Sequence, residues 1–462
     1  MVKSNFERRL KEFEFPEGIV SAVGRLKRAG YKAYLVGGCV RDILFGRVVE
    51  DYDIATDAKP GEVMGLFRHN IPSGIEHGTV TVVEGSLEIE ITTFRKEGKY
   101  TDARHPDSVV FMDNIEEDLK RRDFTINAFA YDPIEEQFID LFDGLSDLSE
   151  GVIRAVGEPK ERFEEDGLRP LRAIRFATVL DFYIDEETFI AIGEAIKYFK
   201  MVAMERVLDE LKKMMLATKP SIGYEYMRET GMMNYLFPEL LEGYSITQNE
   251  FHSYDIYTHS LYSMNSAPIE KPLIRWAGLF HDLGKARTRQ VRDDERVIFY
   301  NHEIVSEQIA QKILDRIRFP KKDAEYVCHL IRHHMFNYTP EWTDSAVRRF
   351  IRRVGEEVIA DLFDLRLADF QASGVNFGFP EYLDEFRERI EKILRAGDAI
   401  TLNDLAVDGT DVMKIYEIGP SRDVGDVLNR LLEVVLDNPE KNNREYLLEL
   451  LHEWSKIDNI NR

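Results

Sequence analysis

Apolar positions in the first thirty residues recur at helical spacing and stop at Gly30, which predicts a helix over residues 1–30. From there to about residue 143 the pattern changes. YKAYLVGG, DYDIAT, GTVTVVEG, LEIEITTFR, SVVFM and QFIDLFDG read as strands separated by turn residues, with helices interleaved at 40–46 and 60–68. Beyond about residue 160 strand signals vanish. Helical periodicity takes over in LRPLRAIRFATVL, AMERVLDELKKMMLA, EIVSEQIAQKILDRI and VGDVLNRLLEVVL. The chain therefore reads as α+β, a head of mixed sheet and helices followed by a long all-α body. No internal repeat or low-complexity tract interrupts it.

Composition changes this picture only in part. A hydrophobic fraction of 44% over 462 residues supports sizeable cores, and the length predicts about three domains. Cys39 and Cys328 are the only cysteines and have no metal spacing, which excludes a disulfide scaffold and fits a reducing compartment. The charged start MVKSNFERRLKEFEF lacks the apolar core of a signal peptide. No apolar run reaches the roughly 18 residues of a membrane span. A cytoplasmic protein without membrane contact is the expectation, and the oligomeric state is open. The net charge of −23 speaks against phosphate-rich partners, but it is a whole-chain average, and a local basic face can still bind nucleic acid.

Candidate chemistry begins at YLVGGCVRDILFGRVVEDYDIAT, residues 34–56. A strand ending in Gly37 and Gly38 and opening a helix lets main-chain N–H groups approach a phosphate, and Arg41 adds a charged donor; an ordinary tight turn reads the same way. Asp51 and Asp53 stand two apart on a strand, so they share a face. Two neighbouring carboxylates repel unless a cation lies between them, and Mg²⁺ takes one or two carboxylates together with substrate phosphates. Glu90, on a later strand, is either a third ligand or part of an acidic strand edge.

GGCVRD followed by DYDIAT resembles the head of the class II tRNA nucleotidyltransferases (CCA-adding enzymes) and the related bacterial poly(A) polymerases. EEDLKRRDFTINAFAYDP (116–133) is similar to that family's ribose motif, and RFEEDGLRPLRAIRFA (162–177) to its nucleotide-selecting motif. The resemblance implies a polymerase-β-like catalytic head. It also implies catalytic, Mg²⁺-holding Asp51 and Asp53, and nucleotide contacts from Gly37, Gly38, Arg41, Arg122, Asp123, Asn127, Glu165, Asp166, Arg169, Arg172 and Arg175. The chemistry of these residues agrees. Arg122, Asp123 and Asn127 offer donors and acceptors, as a ribose 2′-OH demands. Asp166 and Arg169, three apart on one predicted helical face, pair an acceptor with a donor, which suits C and A over U and G; a surface ion pair is the plainer reading. The polar stretch between, with Arg95, Asp102 and Arg104, is similar to the family's flexible loop.

Further on, YTHSLYS, LFHDLGK, YNHEIVSEQIA, HLIRHHMF and LRLADFQASG are spaced like an HD-domain phosphohydrolase. His259, His281, Asp282 and Asp369 match its four-residue signature and suit a divalent metal of undetermined identity. His302, with His333 or His334, could extend the site to a second ion. In SAVRRFIRRV, Arg348 with Arg352 and Arg349 with Arg353 form a basic helical stripe. That stripe is an RNA-binding candidate, as are Lys212, Lys213, Lys321 and Lys322, or else solvated helix faces.

The organisation expected is a catalytic head over 1–145, a helical neck over 146–240, an HD-type domain over 241–395 and a helical tail over 396–462. The implied activity is template-independent addition of CCA to the tRNA 3′ end from CTP and ATP. The alternatives are CC- or A-only addition, poly(A) synthesis, or an HD phosphohydrolase whose head merely binds nucleotide or RNA.

Overall fold

The computed structural model describes residues 2–75, 78–97, 109–375 and 381–460. They form two compact units: Met1–Leu241 with Ile313–Pro320, and Glu242–Lys312 with Lys321–Arg462.

The first unit opens with two helices where the periodicity predicted one, α1 (Val2–Glu12) and α2 (Glu17–Arg28). Pro16 separates them: it is extended at ψ 140° and has no N–H to continue a helix. There follow β1 (Ala33–Val36), α3 (Gly38–Phe45), β2 (Tyr52–Thr56), α4 (Pro60–Leu66), β3 (Asn70–Gly74), β4 (Thr79–Glu84) and β5 (Leu87–Thr93). Next come β6 (Arg95–Glu97), β7 (Val109–Phe111), α5 (Ile115–Lys120), β8 (Phe129–Asp132) and β9 (Gln137–Asp140).

Seven strands make one sheet in the order β3-β4-β5-β2-β1-β8-β9. Every neighbouring pair is antiparallel except β2 and β5, which run parallel with Asp53 opposite Glu90. Val36, Ala55, Phe94, Ile115, Leu119 and Ala130 form a buried cluster behind the sheet. Two strands, β3 and β8, were not predicted. All four residues of β8 are buried, so FAYD has no polar-apolar alternation to betray it.

The rest of this unit is mainly helical, including Pro159–Glu165, Arg169–Leu180 and Met204–Met215. The second unit is a helical array that includes Ile256–Ser266, Pro272–Phe280, Lys321–His333, Asp344–Val354 and Glu356–Ala372. The expectation that strands end near residue 160 needs one correction. Val152–Ile153 pairs with Tyr183–Ile184, and Arg289–Val291 pairs with Val297–Phe299 in a hairpin. At two or three residues each, these strands are too short to leave a period-2 signal. Among the described residues no helix is long and apolar enough to cross a membrane.

Candidate functional site

A cleft of about 730 Å³ in the first unit is lined by Gly37, Gly38, Arg41, Asp51, Asp53 and Arg122, among others. β1 delivers the chain to Gly37, whose φ of +76° disfavours any residue with a Cβ. A Cβ there would also lie 2.7 Å from Nη1 of Arg122, so the glycine lets a guanidinium settle against the turn. Arg122 is held from behind by the buried Asp118, which also pairs with Arg121. Arg41 is aimed by three bonds: Nε and Nη2 donate to the two Asp42 oxygens at 2.9 and 2.8 Å, and Nη1 donates to Asn127 Oδ1 at 2.7 Å.

Asp53 stands on β2 and Asp51 immediately before it, both lining the same cleft. Asp51 is exposed and Asp53 is partly buried beside Glu90 of β5. Burial pushes the Asp53 carboxyl up to about 6; Glu90 and Asp51 add to the rise, and Arg122 opposes it. A carboxylate whose ionisation is resisted by burial and by two like neighbours is the environment that a bound cation relieves. The donor set is all oxygen, which fits a hard divalent ion such as Mg²⁺.

Asp123 anchors the facing wall. Its Oδ2 accepts from Arg172 Nε and Nη2 at 2.9 and 2.6 Å, and its Oδ1 accepts from Asn127 Nδ2 at 3.1 Å. Burial opposes its ionisation, but Arg172 and Asn127 outweigh burial and hold the carboxyl below the usual range. Arg175 pairs with the buried Glu210 at 2.6 Å, and its guanidinium lies 3.5 Å from the centre of the Phe176 ring, over which Arg41 and Arg172 also sit. Burial pulls Arg175 down to about 10 despite Glu210. Asp42, Phe176, Glu210 and Lys213 belong to this surround and were not singled out as nucleotide residues; only the helical position of Glu210 relative to Lys213 signals it in the sequence.

The segment expected to select the nucleotide is built differently from the prediction. Asp166 and Arg169 do not share a helical face. One helix ends at Glu165, Asp166 is extended at φ −134° and ψ 108°, and the next helix begins at Arg169. A continuous helix would need Pro170 to donate an N–H to Asp166, and proline has none. Asp166 instead pairs with Arg206 at 2.7 Å. Arg169 donates to Glu165 at 2.6 Å and to the main-chain oxygens of Arg162 and Arg121.

The second unit gathers a closed cluster. His259, His281 and Asp282 are fully buried, with His302 and His334 almost so. Each imidazole places Nδ1 near a main-chain oxygen: His259 to Ala372 at 3.2 Å, His281 to Gly278 at 2.8 Å, His302 to Phe299 at 2.8 Å and His334 to Ile331 at 2.7 Å. With Nδ1–H donating outward, Nε2 carries the inward lone pair, the orientation of a metal-ligating histidine. His259 Nε2 lies 3.3 Å from Asp282 Oδ2 and 3.0 Å from Asp369 Oδ1, and His281 Nε2 lies 3.3 Å from the same Asp282 oxygen. His302 Nε2 faces the other oxygen, Asp282 Oδ1, at 3.3 Å. His259 Nε2, His281 Nε2 and Asp282 Oδ2 are nonetheless buried without hydrogen-bond geometry. Ligand atoms that converge without bonding one another fit a metal, with Asp282 between two half-sites.

Gly284 makes the closure possible, since a Cβ there would meet His302 O at 2.3 Å. His333 is not brought in; its ring lies 4.6 Å from that of His329. Two residues at this centre were not assigned from sequence. His252 joins His259, Asp282 and Asp369 within metal-binding reach, and Lys285 Nζ sits 2.6 Å from Asp282 Oδ2. Lys285 was visible in HDLGK; His252, in an irregular stretch, gave no periodic signal.

The arginines of the stripe have contacts within the second unit. Arg348 pairs with Asp398, Arg349 with Glu433 and Asp437, and Arg352 with Glu433 and Asn429, while Arg353 lies over Phe350. Lys321 is exposed, Lys213 lines the cleft and Lys212 lies over Phe319. Of the loop residues, Arg95 lies in β6, and Asp102 and Arg104 fall outside the described residues.

Comparison with known proteins agrees with this division. Residues 33–154 match the poly A polymerase head domain, residues 181–243 the probable RNA and SrmB-binding site of polymerase A, and residues 251–370 the HD domain. The chain thus matches, in order, the poly(A) polymerase head domain, the probable RNA and SrmB-binding site of polymerase A and the HD domain. CCA-adding enzymes are among its curated relatives. That of Lactococcus lactis subsp. cremoris is 48% identical over 233 residues, 49% of this chain and 58% of the relative. That of Pediococcus pentosaceus is 47% identical over 225 residues, 49% of this chain and 56% of the relative. The match therefore spans less than two thirds of each relative. Among solved structures, the CCA-adding enzyme of Bacillus stearothermophilus in complex with CTP aligns over 97% of this chain and 100% of its own, with a TM-score of 0.72 and 28% identity. The Thermotoga maritima CCA-adding enzyme complexed with tRNA shares the fold, covering 96% of this chain and 97% of its own at a TM-score of 0.55 and 21% identity.

Proposed function

We propose that this chain is a tRNA nucleotidyltransferase that adds CCA to the tRNA 3′ end from CTP and ATP, releasing pyrophosphate. The observation that carries the reading is the cleft itself, which Asp51 and Asp53 line together with Arg41, Arg122, Arg172 and Arg175, with Glu90 beside Asp53 on the neighbouring strand. Relatives solved with CTP, with ATP and with tRNA support the choice of substrates and partner.

In this reading Asp51 and Asp53 hold Mg²⁺ with Glu90 alongside. Magnesium supplies the positive charge that an attacking hydroxyl and a departing pyrophosphate both need. The chain's own groups do the rest. The 3′-OH of the tRNA attacks the α-phosphorus, the bond to pyrophosphate breaks, and Arg41, Arg122 and Arg172 face the charge that develops on the phosphoryl oxygens. The Gly37–Gly38 turn lets the main chain approach the triphosphate, and Asp123 with Asn127 meets the ribose. Asp166 and Arg169 read the base; because each is paired within the protein, to Arg206 and to Glu165, a C or A base must exchange for those partners.

We assign residues 1–145 to the catalytic head, 146–240 to the neck, 241–395 to the HD domain and 396–462 to the tail, in a cytoplasmic protein. The test is incorporation. Protein with tRNA lacking its terminus, CTP, ATP and Mg²⁺ extends the RNA by C, C and A; no extension, or equal use of UTP and GTP, rejects the proposal.

A second activity is favoured by the buried His/Asp centre. Its geometry supports metal-dependent hydrolysis of a phosphate ester, independent of the head.

A further inference from the structure

Beside the His/Asp centre lies a pocket that the metal-binding signature does not explain. It has a volume of about 380 Å³ and is lined by Phe251, Phe370 and Tyr382 together with Arg366 and Asp369. Arg366, Asp369 and Phe370 come from one helix, Glu356–Ala372, at the i, i+3 and i+4 spacing that puts them on one face. Asp369 thus belongs both to the metal-type cluster and to the pocket. Its Oδ1 faces His259 and His281, and its Oδ2 accepts from Arg366 Nη1 at 2.9 Å. The guanidinium is not fully used. Arg366 Nε is buried and has no hydrogen-bond acceptor.

A buried N–H left without an acceptor beside an anion-handling centre is a place for a ligand oxygen. A planar guanidinium next to hydrolytic ligands suits a phosphoryl group, which it can contact with more than one N–H. Phe251 is 54% exposed although it lines the pocket, and with Phe370 and Tyr382 it gives the mouth aromatic walls. Such walls interact with a flat ring and gain little from a short alkyl chain.

We propose that Arg366 is the phosphoryl-positioning residue of this centre and that Phe251 and Tyr382 select esters carrying a planar ring over alkyl esters. The inference rests on the reading of the centre as a metal phosphohydrolase. In the reaction a water oxygen bonds to phosphorus, the ester P–O bond breaks, and its electron pair leaves on the alcohol oxygen, which takes the water's proton. Arg366 neutralises the phosphoryl oxygens, and the ligand-facing Asp369 Oδ1 does not contact it.

The test uses the full chain loaded with Mn²⁺ and two esters with similar alkyl leaving groups, adenosine 3′-monophosphate and glycerol 2-phosphate. The wild type is expected to favour the adenosine ester in kcat/KM by at least tenfold. Phe251→Ala brings the two esters within twofold of each other. Arg366→Gln raises KM for both at least tenfold while bound Mn²⁺, measured by mass spectrometry, stays at the wild-type level, and Arg366→Lys restores part of the loss. Calorimetric titration of inorganic phosphate into Arg366→Gln is expected to lose one binding event relative to the wild type. If the Mn²⁺-loaded wild type hydrolyses neither ester, the phosphohydrolase reading falls. If it hydrolyses both but Arg366→Gln leaves KM unchanged or loses its Mn²⁺, the positioning role is overturned. An undiminished preference in Phe251→Ala overturns the selecting role.

Discussion

The head cleft and the His/Asp centre both collect carboxylates, but the chain builds them in opposite ways. In the head, Asp51 and Asp53 sit at the start of a strand, one exposed and one partly buried, facing arginines across an open cleft. In the second unit, Asp282 sits in the turn after one helix and Asp369 on another, among imidazoles, with Asp282 fully buried and His259, His281, His302 and His334 each clamped by a main-chain oxygen. A strand edge leaves its acids open to a large partner and to an ion that arrives with a nucleotide. A helical cage fixes ligand direction in advance and excludes bulk water. The first arrangement fits a weakly held, exchangeable Mg²⁺, the second a resident metal.

The sharpest way to break this comparison is to disable one centre and read both. Asp53→Ala is expected to lower nucleotide incorporation by about 10³-fold or more while ester hydrolysis stays within twofold. His281→Ala should do the reverse: bound metal falls as affinity drops by about 10–100-fold or more, and incorporation with Mg²⁺ is retained. Metal removal extends the contrast. Brief EDTA treatment followed by gel filtration is expected to leave metal in the wild-type His/Asp centre, while incorporation returns at once on adding Mg²⁺. Loss of both together would mean that the two centres are equally open.

Backbone strain comes next. Gly37→Ala forces a Cβ into a positive-φ turn and against Arg122, at a cost of about 1–3 kcal/mol, read as a lower urea midpoint and about tenfold weaker NTP use. Asp123 gives a pH-dependent test. Its folded carboxyl lies below the ordinary value, so its contribution is present above the ordinary carboxylate range and is lost as pH falls through that range and below. Asp123→Asn should therefore be less stable than the wild type at pH 7, and the gap in denaturant midpoint should narrow on acidification. The smallest effect is expected on the arginine stripe. Arg349→Ala removes exposed pairs to Glu433 and Asp437, worth up to about 1 kcal/mol, and should change the KM for tRNA less than twofold. A large rise in that KM would return the stripe to the RNA surface.

Chemistry-bearing spacing was legible where it is local. The two-residue spacing of Asp51 and Asp53 put them together, and both line the cleft although only Asp53 is within the strand, while Gly37 advertises its turn because few other residues tolerate one. His281, Asp282 and Gly284 are readable together because the close approach of two helices leaves no room at Gly284. Long-range partners were not legible. That Arg349 meets Glu433, that Asp166 meets Arg206, and that His334 rather than its neighbour His333 turns inward depend on how helices pack, and no local period records it. The buried strand β8 was missed for a related reason: without a wet face it carries no alternation.

The sequence by itself determined the order of the parts and the identity of their reactive groups, because turn geometry, strand alternation and side-chain chemistry are properties of short segments. Tertiary structure alone decided which charges are free to work. Ion pairing and burial are set by residues tens of positions away, so Arg172 is brought to the cleft while Arg349 and Arg352 are tied to a distant helix, and Lys285 is carried onto Asp282.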